Sequence, residues 1–252
     1  MDRSTPTASR PVSQYERRTA CDLVLEYPAM AAVFERFGID YGCRGEQLLA
    51  DACRKAGCSI EQLTNALEPT EGAVARDWRA APLEELVQHI IEQHHSFTRK
   101  EIHRLGDLLR EVVPLHEGNH SELPRVQRCI AELSAELLQH MEKEEVLLFP
   151  YILELEQAER FSRRAPEPEF GTIQNPVAAM VMEHESSGQA IDTLREITVN
   201  YAVPPDASAS FRTLYEALPR FAADLHQHIH LENNILFPRA VELEQQLSRL
   251  SR

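Results

Sequence analysis

The chain has 252 residues, 43% of them hydrophobic and 6% aromatic, enough for one sizeable domain and a small one. Its 40 acidic against 26 basic side chains give a formal net charge of −14, which argues against wrapping nucleic acid or docking on anionic lipid, since both need a basic face. The first 13 residues carry no apolar run, no later stretch approaches the roughly 18 apolar residues of a membrane span, and the five cysteines are odd in number, so a cytoplasmic chain with reduced thiols is expected.

Residues 1–15 read as a loose leader. A first helical region is expected over Thr19 to Phe37, stopped by Gly38. The turn Ile39-Asp40-Tyr41-Gly42-Cys43-Arg44-Gly45 leads into a helix over Glu46 to Ala56, and Ser59 with Gln62 forms a capping box for another over Ile60 to Leu67. Residues 16–75 thus make a small helical domain. The segment from Pro69 to Ala81 has little periodicity and ends at Pro82, a favoured first helical position.

The second domain, 76–252, holds four segments with helical periodicity: about 82–112, 123–160, 176–200 and 208–248. Polar or proline-bearing joints separate them, and Asn175-Pro176 reads as a cap followed by proline at the first helical position. Strand alternation is almost absent. The expected fold is all-α, a four-helix bundle preceded by a small helical domain.

Within the bundle, the run from Gln139 to Pro150 recurs as Gln227 to Pro238, at the same 88-residue offset for His228 from His140 and for Glu232 from Glu144. Residues four apart share a helix face, so each copy aims an imidazole and a carboxylate into one space. The apolar stripes extend this. The first helix reads Val87, Ile91, His95, Thr98, Ile102, Leu105, Leu109; the second Ile130, Leu133, Leu137, His140, Glu144, Leu147, Tyr151. The third reads Val177, Val181, His184, Gly188, Ile191, Thr198; the fourth Leu214, Leu218, Phe221, Leu225, His228, Glu232, Ile235. Each helix places one histidine on its buried stripe, and two add a glutamate one turn on.

A single such histidine is more often a hydrogen-bonded core residue than a ligand. Two buried carboxylates are another matter, because an unpaired buried charge costs on the order of several kcal/mol, and no Lys or Arg stands one turn away on either stripe. A cation is the expected partner. Thiolate is absent, imidazole suits iron, copper, zinc or nickel, and six ligands are too many for one tetrahedral zinc. If Glu144 and Glu232 bridge two ions and each ion takes two histidines, an oxide or hydroxide bridge leaves one position open per metal. The expected cofactor is therefore a pair of non-haem iron ions able to bind a small molecule such as oxygen, nitric oxide or peroxide. His94 competes with His95, about 100° round the helix; the stripe favours His95. His226 and His230 face away from His228, and His89, His103, His116 and His120 are expected to be solvated.

These residues resemble a known family, the hemerythrin-like cation-binding domain, and more closely the RIC (repair of iron centres) family with its ScdA-like N-terminal domain. The resemblance rests on the Asp40-Tyr41-Gly42-Cys43 turn, Asp77 to Leu83, His140 to Pro150, Met182-Glu183-His184, and Leu231 to Pro238. It implies a non-haem di-iron centre with ligands at His95, His140, Glu144, His184, His228 and Glu232, and a role in restoring iron-sulfur clusters damaged by nitric oxide or oxidants, with damaged iron-sulfur proteins as partners. One departure is plain. The family's turn usually reads Asp-Tyr-Cys-Cys-Gly-Gly, and this chain keeps one of the two cysteines, Cys43. Beside Arg44 it is either an activated thiol or a surface cysteine in a docking turn.

Three function classes compete: a di-iron stress protein, a reversible oxygen carrier or sensor of the hemerythrin sort, and a helical protein whose metal is incidental. Haem has little support, since Cys-x-x-Cys-His is absent. Whether nitric oxide is turned over, sequestered or sensed is not legible from the ligands, and oligomeric state stays open, a homodimer included.

Overall fold

The computed structural model describes residues 15, 17–66 and 76–250. The expected leader, apart from Tyr15, and residues 69–75 of the expected inter-domain segment lie outside the described residues. Contacts divide the chain into two units, Met1–Arg76 and Asp77–Arg252. Among the described residues there are helices and turns but no strand, only an isolated bridge between Thr19 and Leu48.

The N-terminal unit contains α1 (Ala20–Glu26), α2 (Met30–Phe37), α3 (Leu49–Ala56) and α4 (Ile60–Asn65). The one helix expected from Thr19 to Phe37 is two, because proline disfavours helical backbone at the residue before it. Tyr27, preceding Pro28, sits at φ −130°, ψ 84° and ends α1. Gly38 closes α2 in the left-handed region at φ 69°. The capping box forms as the spacing implies: Gln62 N–H donates to Ser59 Oγ at 3.1 Å and Ser59 N–H to Gln62 Oε1 at 2.8 Å. Helix α3 begins three residues later than expected, since Leu48 is taken up by the bridge and Leu49 N–H donates to Arg18 O. Leu23, Phe34, Leu49 and Leu63 are fully buried at the centre.

Gly45 stands where no side chain fits. A Cβ there would lie 2.3 Å from Tyr41 O and 2.8 Å from Cys21 Cβ, while Gly45 O accepts from Cys21 N–H. Gly45→Ala is therefore expected to destabilise this unit by about 1–3 kcal/mol, the usual cost of overpacking. Hydrogen exchange at α1 and α2 checks it; unchanged protection there would contradict the close approach.

The larger unit is built from four rods. The first is α5 (Leu83–His89), a π-helical turn π1 (Ile90–His95) and α6 (Ser96–His116); the second is α7 (Leu123–Lys143), π2 (Glu144–Leu148) and α8 (Phe149–Arg160). The third is α9 (Gln174–Ile197), and the fourth α10 (Ala209–Leu231), π3 (Glu232–Leu236) and α11 (Phe237–Leu250). Packing of α6 on α7, α7 on α9, α9 on α10 and α10 on α6 closes a ring of four. Below it, α8 contacts both α5 and α11, as an up-down bundle requires.

Several ends are capped from a distance. Pro82 has no side chain to cap α5, and Glu156 of α8 accepts from Leu83 and Glu84 N–H at 2.6 and 2.8 Å instead. Glu244 of α11 accepts from Ile173 N–H, Thr172 Oγ1 and Tyr151 Oη, fixing the entry to α9. That helix starts at Gln174 rather than Pro176, so Asn175 is inside it and its side chain donates to Phe170 O.

The π turns are what the sequence reading does not foresee. Phe149 N–H donates to Glu144 O, Phe237 N–H to Glu232 O and Ser96 N–H to Ile91 O, each five residues back. Pro150 and Pro238 account for two of them. Proline has no N–H, and in a regular helix its ring would strike the carbonyl four back; a wider turn removes that clash and leaves one extra residue in the helix. The extra residue rotates everything after it. Leu147, expected on the buried stripe, is 48% exposed and Leu148 takes the core position at 1%.

Candidate metal centre

The three π turns and α9 meet at one level of the bundle, and all six residues on the seams are buried there. His95, Glu144, His228 and Glu232 are fully inaccessible, with His140 and His184 nearly so. Two groups emerge in which each residue offers one donor atom within 4.8 Å of the others: His95, Glu144, His228 and Glu232; and His140, Glu144, His184 and Glu232. Both glutamates belong to both groups. Glu144 turns Oε2 to His95 Nε2 at 3.4 Å and Oε1 to His140 Nε2 at 3.3 Å. Glu232 turns Oε1 to His228 Nε2 at 2.9 Å and Oε2 to His184 Nε2 at 3.2 Å.

The imidazoles are held by their far nitrogens. His95 Nδ1 lies 2.7 Å from Glu145 Oε1, His140 Nδ1 2.9 Å from Glu183 Oε2, and His184 Nδ1 2.8 Å from Asn233 Oδ1. An acceptor at Nδ1 keeps the proton there and leaves the Nε2 lone pair facing inward. Yet the inward nitrogens stand close: His95 to His228 Nε2 at 3.0 Å and His140 to His184 Nε2 at 2.9 Å. Ring nitrogens set this close beside two carboxylates call for positive charge between them. Neither oxygen of Glu144, nor Oε2 of Glu232, has a hydrogen bond within the protein. The donor set and these orphaned oxygens fit a metal cation.

Electrostatics point the same way. Burial disfavours charge on His95 and His140, but the two glutamates overcome it and lift them to about 10 and about 9. Burial likewise opposes the charge on Glu232, and the surrounding imidazoles still hold it well below the ordinary carboxylate range. His228 is pushed down by burial. The pocket is built around two negative charges.

The repeat explains more than the ligands. Phe149 stacks on the ring of His95 at 5.7 Å between centroids, and Phe237 on His184 at 6.1 Å, so each copy supplies an apolar backing for a histidine of another rod. The outer acceptors were not singled out as site residues by the sequence reading. Their signal is adjacency: Glu145 follows Glu144, Glu183 precedes His184, and Asn233 follows Glu232, each turned about 100° toward the neighbouring rod. Arg99 pairs with Glu145 at 2.9 Å and Lys143 with Glu183, and these hydrogen bonds outweigh partial burial to keep both carboxylates ionised below their usual range.

Residues 86–240 match the Hemerythrin HHE cation binding domain, and residues 16–71 match the ScdA_N domain, described as a domain of unknown function, DUF542. Relatives from Salmonella schwarzengrund (strain CVM19633) and Salmonella newport (strain SL254), each named "Iron-sulfur cluster repair protein YtfE", are 32% identical over 232 residues. The alignments cover 90% of this chain and 98% of each relative. The chain belongs to the RIC family. The fold class and the resemblance read from the sequence agree with this membership.

Of the other histidines in this RIC-family chain, His226 and His230 join neither donor group; both are buried, since α10 is enclosed on most sides, and His230 Nδ1 lies 2.8 Å from Asn234 Nδ2. Three of the four expected to be solvated depart from that reading. His116 meets Ser208 Oγ at 3.0 Å, and His120 sits between Glu122 and Asp206. His89 packs at a tilt against Trp78, 4.5 Å between ring centroids. Only His103 is plainly exposed. His94 is buried beside His95, an outcome of the π1 turn, but its ring joins neither donor group. In the N-terminal unit, Cys43 is half-buried in a turn organised by Asp40: Oδ1 accepts from Gly42 and Cys43 N–H, and Oδ2 from Arg44 Nε at 3.1 Å. The Arg44 charge beside the thiol is thus shared with Asp40. Among the described residues no helix is long and apolar enough to cross a membrane.

Proposed function

We propose that this chain is a di-iron protein of the nitrosative and oxidative stress response, in which His95, His228, His140 and His184 hold two non-haem irons bridged by Glu144 and Glu232, and that it supports repair of damaged iron-sulfur clusters. The observation that carries it is the placement of both glutamates in both donor groups, each oxygen of a carboxylate turned to a different histidine pair. When bound, the iron pair would supply open coordination positions for nitric oxide or an oxygen species. The chain's own part is to fix the rings of His95, His140 and His184 through Glu145, Glu183 and Asn233, to exclude bulk water by the Phe149 and Phe237 faces, and to keep the inner carboxylates ionised. The relatives named for iron-sulfur cluster repair, similar along nearly their whole length, support the biological half of the reading. Cys43 is proposed as an accessory thiol and the compartment as the cytoplasm.

The test is anaerobic addition of nitric oxide to reduced, iron-loaded protein. New optical and electron paramagnetic resonance features are expected, together with faster recovery of a nitric-oxide-damaged iron-sulfur enzyme. Spectra unmoved by nitric oxide would sink the proposal.

A further inference from the structure

His94 is wired like the ligands without being one of them. Its Nδ1 lies 3.0 Å from Asp224 Oδ1, it is 4% exposed, and its Nε2 is buried with no hydrogen bond in the protein; Asp224 Oδ2 is orphaned too. A carboxylate on Nδ1 that leaves Nε2 as a bare lone pair is how proteins prepare an imidazole for a metal ion. The ring faces that of His228 in parallel, 5.7 Å away and 8° from coplanar, and on its other side meets half-buried His89 at 5.5 Å. Three imidazoles thus run from the flank of the bundle to the centre. His94 and Asp224 line a cavity of about 460 Å³ with His89, Glu92, Phe97 and Lys100, of which Glu92 and Lys100 are exposed at its rim.

We propose that this cavity is the port through which a divalent metal ion enters and leaves, with His94 Nε2 as its capturing donor and Asp224 as the carboxylate that orients the ring and keeps the proton on Nδ1. The proposal rests on the reading of the centre as a metal site. Imidazole suits first-row divalent cations, and one protein donor leaves the ion most of its waters, enough to arrest it and too little to keep it. An apolar gas would be served by an apolar passage, and Phe97 is the one apolar side chain lining this cavity. The π1 turn is what makes the arrangement possible, since a regular helix would turn either His94 or His95 inward and not both.

The test uses Co²⁺ as the probe, mixed in stopped flow with the metal-free full-length chain and followed by its visible absorption. His94→Gln and Asp224→Asn preserve volume, and His94→Ala removes the donor outright. Uptake is expected to slow by about tenfold in each, at the lower end of what outer metal partners are worth, with final metal per chain and end-point spectrum as in the unmodified protein. Removal by a chelator slows in parallel. Uptake as fast as in the parent for the two volume-preserving variants overturns the port, as does a drop in final metal content at unchanged rate, which would make His94 a resident ligand. A parent chain that takes up no Co²⁺ fails the metal-centre reading itself, a result distinct from either.

Discussion

Replacing Glu232 by leucine is expected to abolish metal binding while leaving the metal-free protein as stable as before, or more so. In the metal-free chain Glu232 and Glu144 are two buried carboxylates compensated only by imidazoles, with orphaned oxygens. Substituting buried ionic clusters by apolar residues of similar volume is commonly neutral or stabilising by about 1–4 kcal/mol. The same change removes a donor from both groups at once, so neither group keeps its full set. Metal analysis after reconstitution and thermal melting of metal-free protein give the two readouts. A variant that still binds metal stoichiometrically would show that Glu232 is not shared, and one that melts far below the parent would show that the carboxylate holds the fold. Glu144→Leu is expected to behave alike.

The second large effect is expected one layer out. Glu145→Ala, Glu183→Ala and Asn233→Ala each free one ring of His95, His140 or His184, and each is expected to weaken metal affinity by roughly 10–100-fold. Loss of the acceptor lets the ring change tautomer and swing, and the lone pair no longer faces the centre. Because Glu145 and Glu183 also neutralise Arg99 and Lys143, the Glu→Gln variants, which keep the shape and an acceptor oxygen but remove the charge, separate the two roles. Glutamine keeps an acceptor oxygen and is expected to restore most of the affinity. Titration with a competing chelator measures both; equal losses for alanine and glutamine would assign the effect to charge rather than to ring orientation. His228, whose Nδ1 has no partner, offers no such handle.

The bundle was legible because its signals are periodic. Leu133, Leu137 and His140, or Leu218, Phe221, Leu225 and His228, follow one helical face, and the structure buries each of them. The meeting of His95, His140, Glu144, His184, His228 and Glu232 was legible for the same reason, with the 88-residue repeat pairing two of the helices. Legibility fails where a local backbone rule overrides the period. Pro28 splits a helix whose apolar spacing runs straight through it, and Pro150 shifts the register in which Leu147 is expected on the buried stripe. The sequence also has no way to say that Glu183 lies beneath His140, because that contact spans two rods and 43 positions. A histidine's partner within its own helix is a matter of spacing; its partner on the next helix is a matter of packing.

The π turns carry one more consequence. Three of the four rods are interrupted at the same level, and beyond the interruption α5 and α11 each pack on α8. The bundle thus divides into two stacked blocks joined at the level of the π turns. Native-state hydrogen exchange is expected to sort its amides into two protection classes that divide at Ile90–His95, Glu144–Leu148 and Glu232–Leu236. Metal uptake should draw the two classes together, since a cation bound across all three turns is anchored in both blocks.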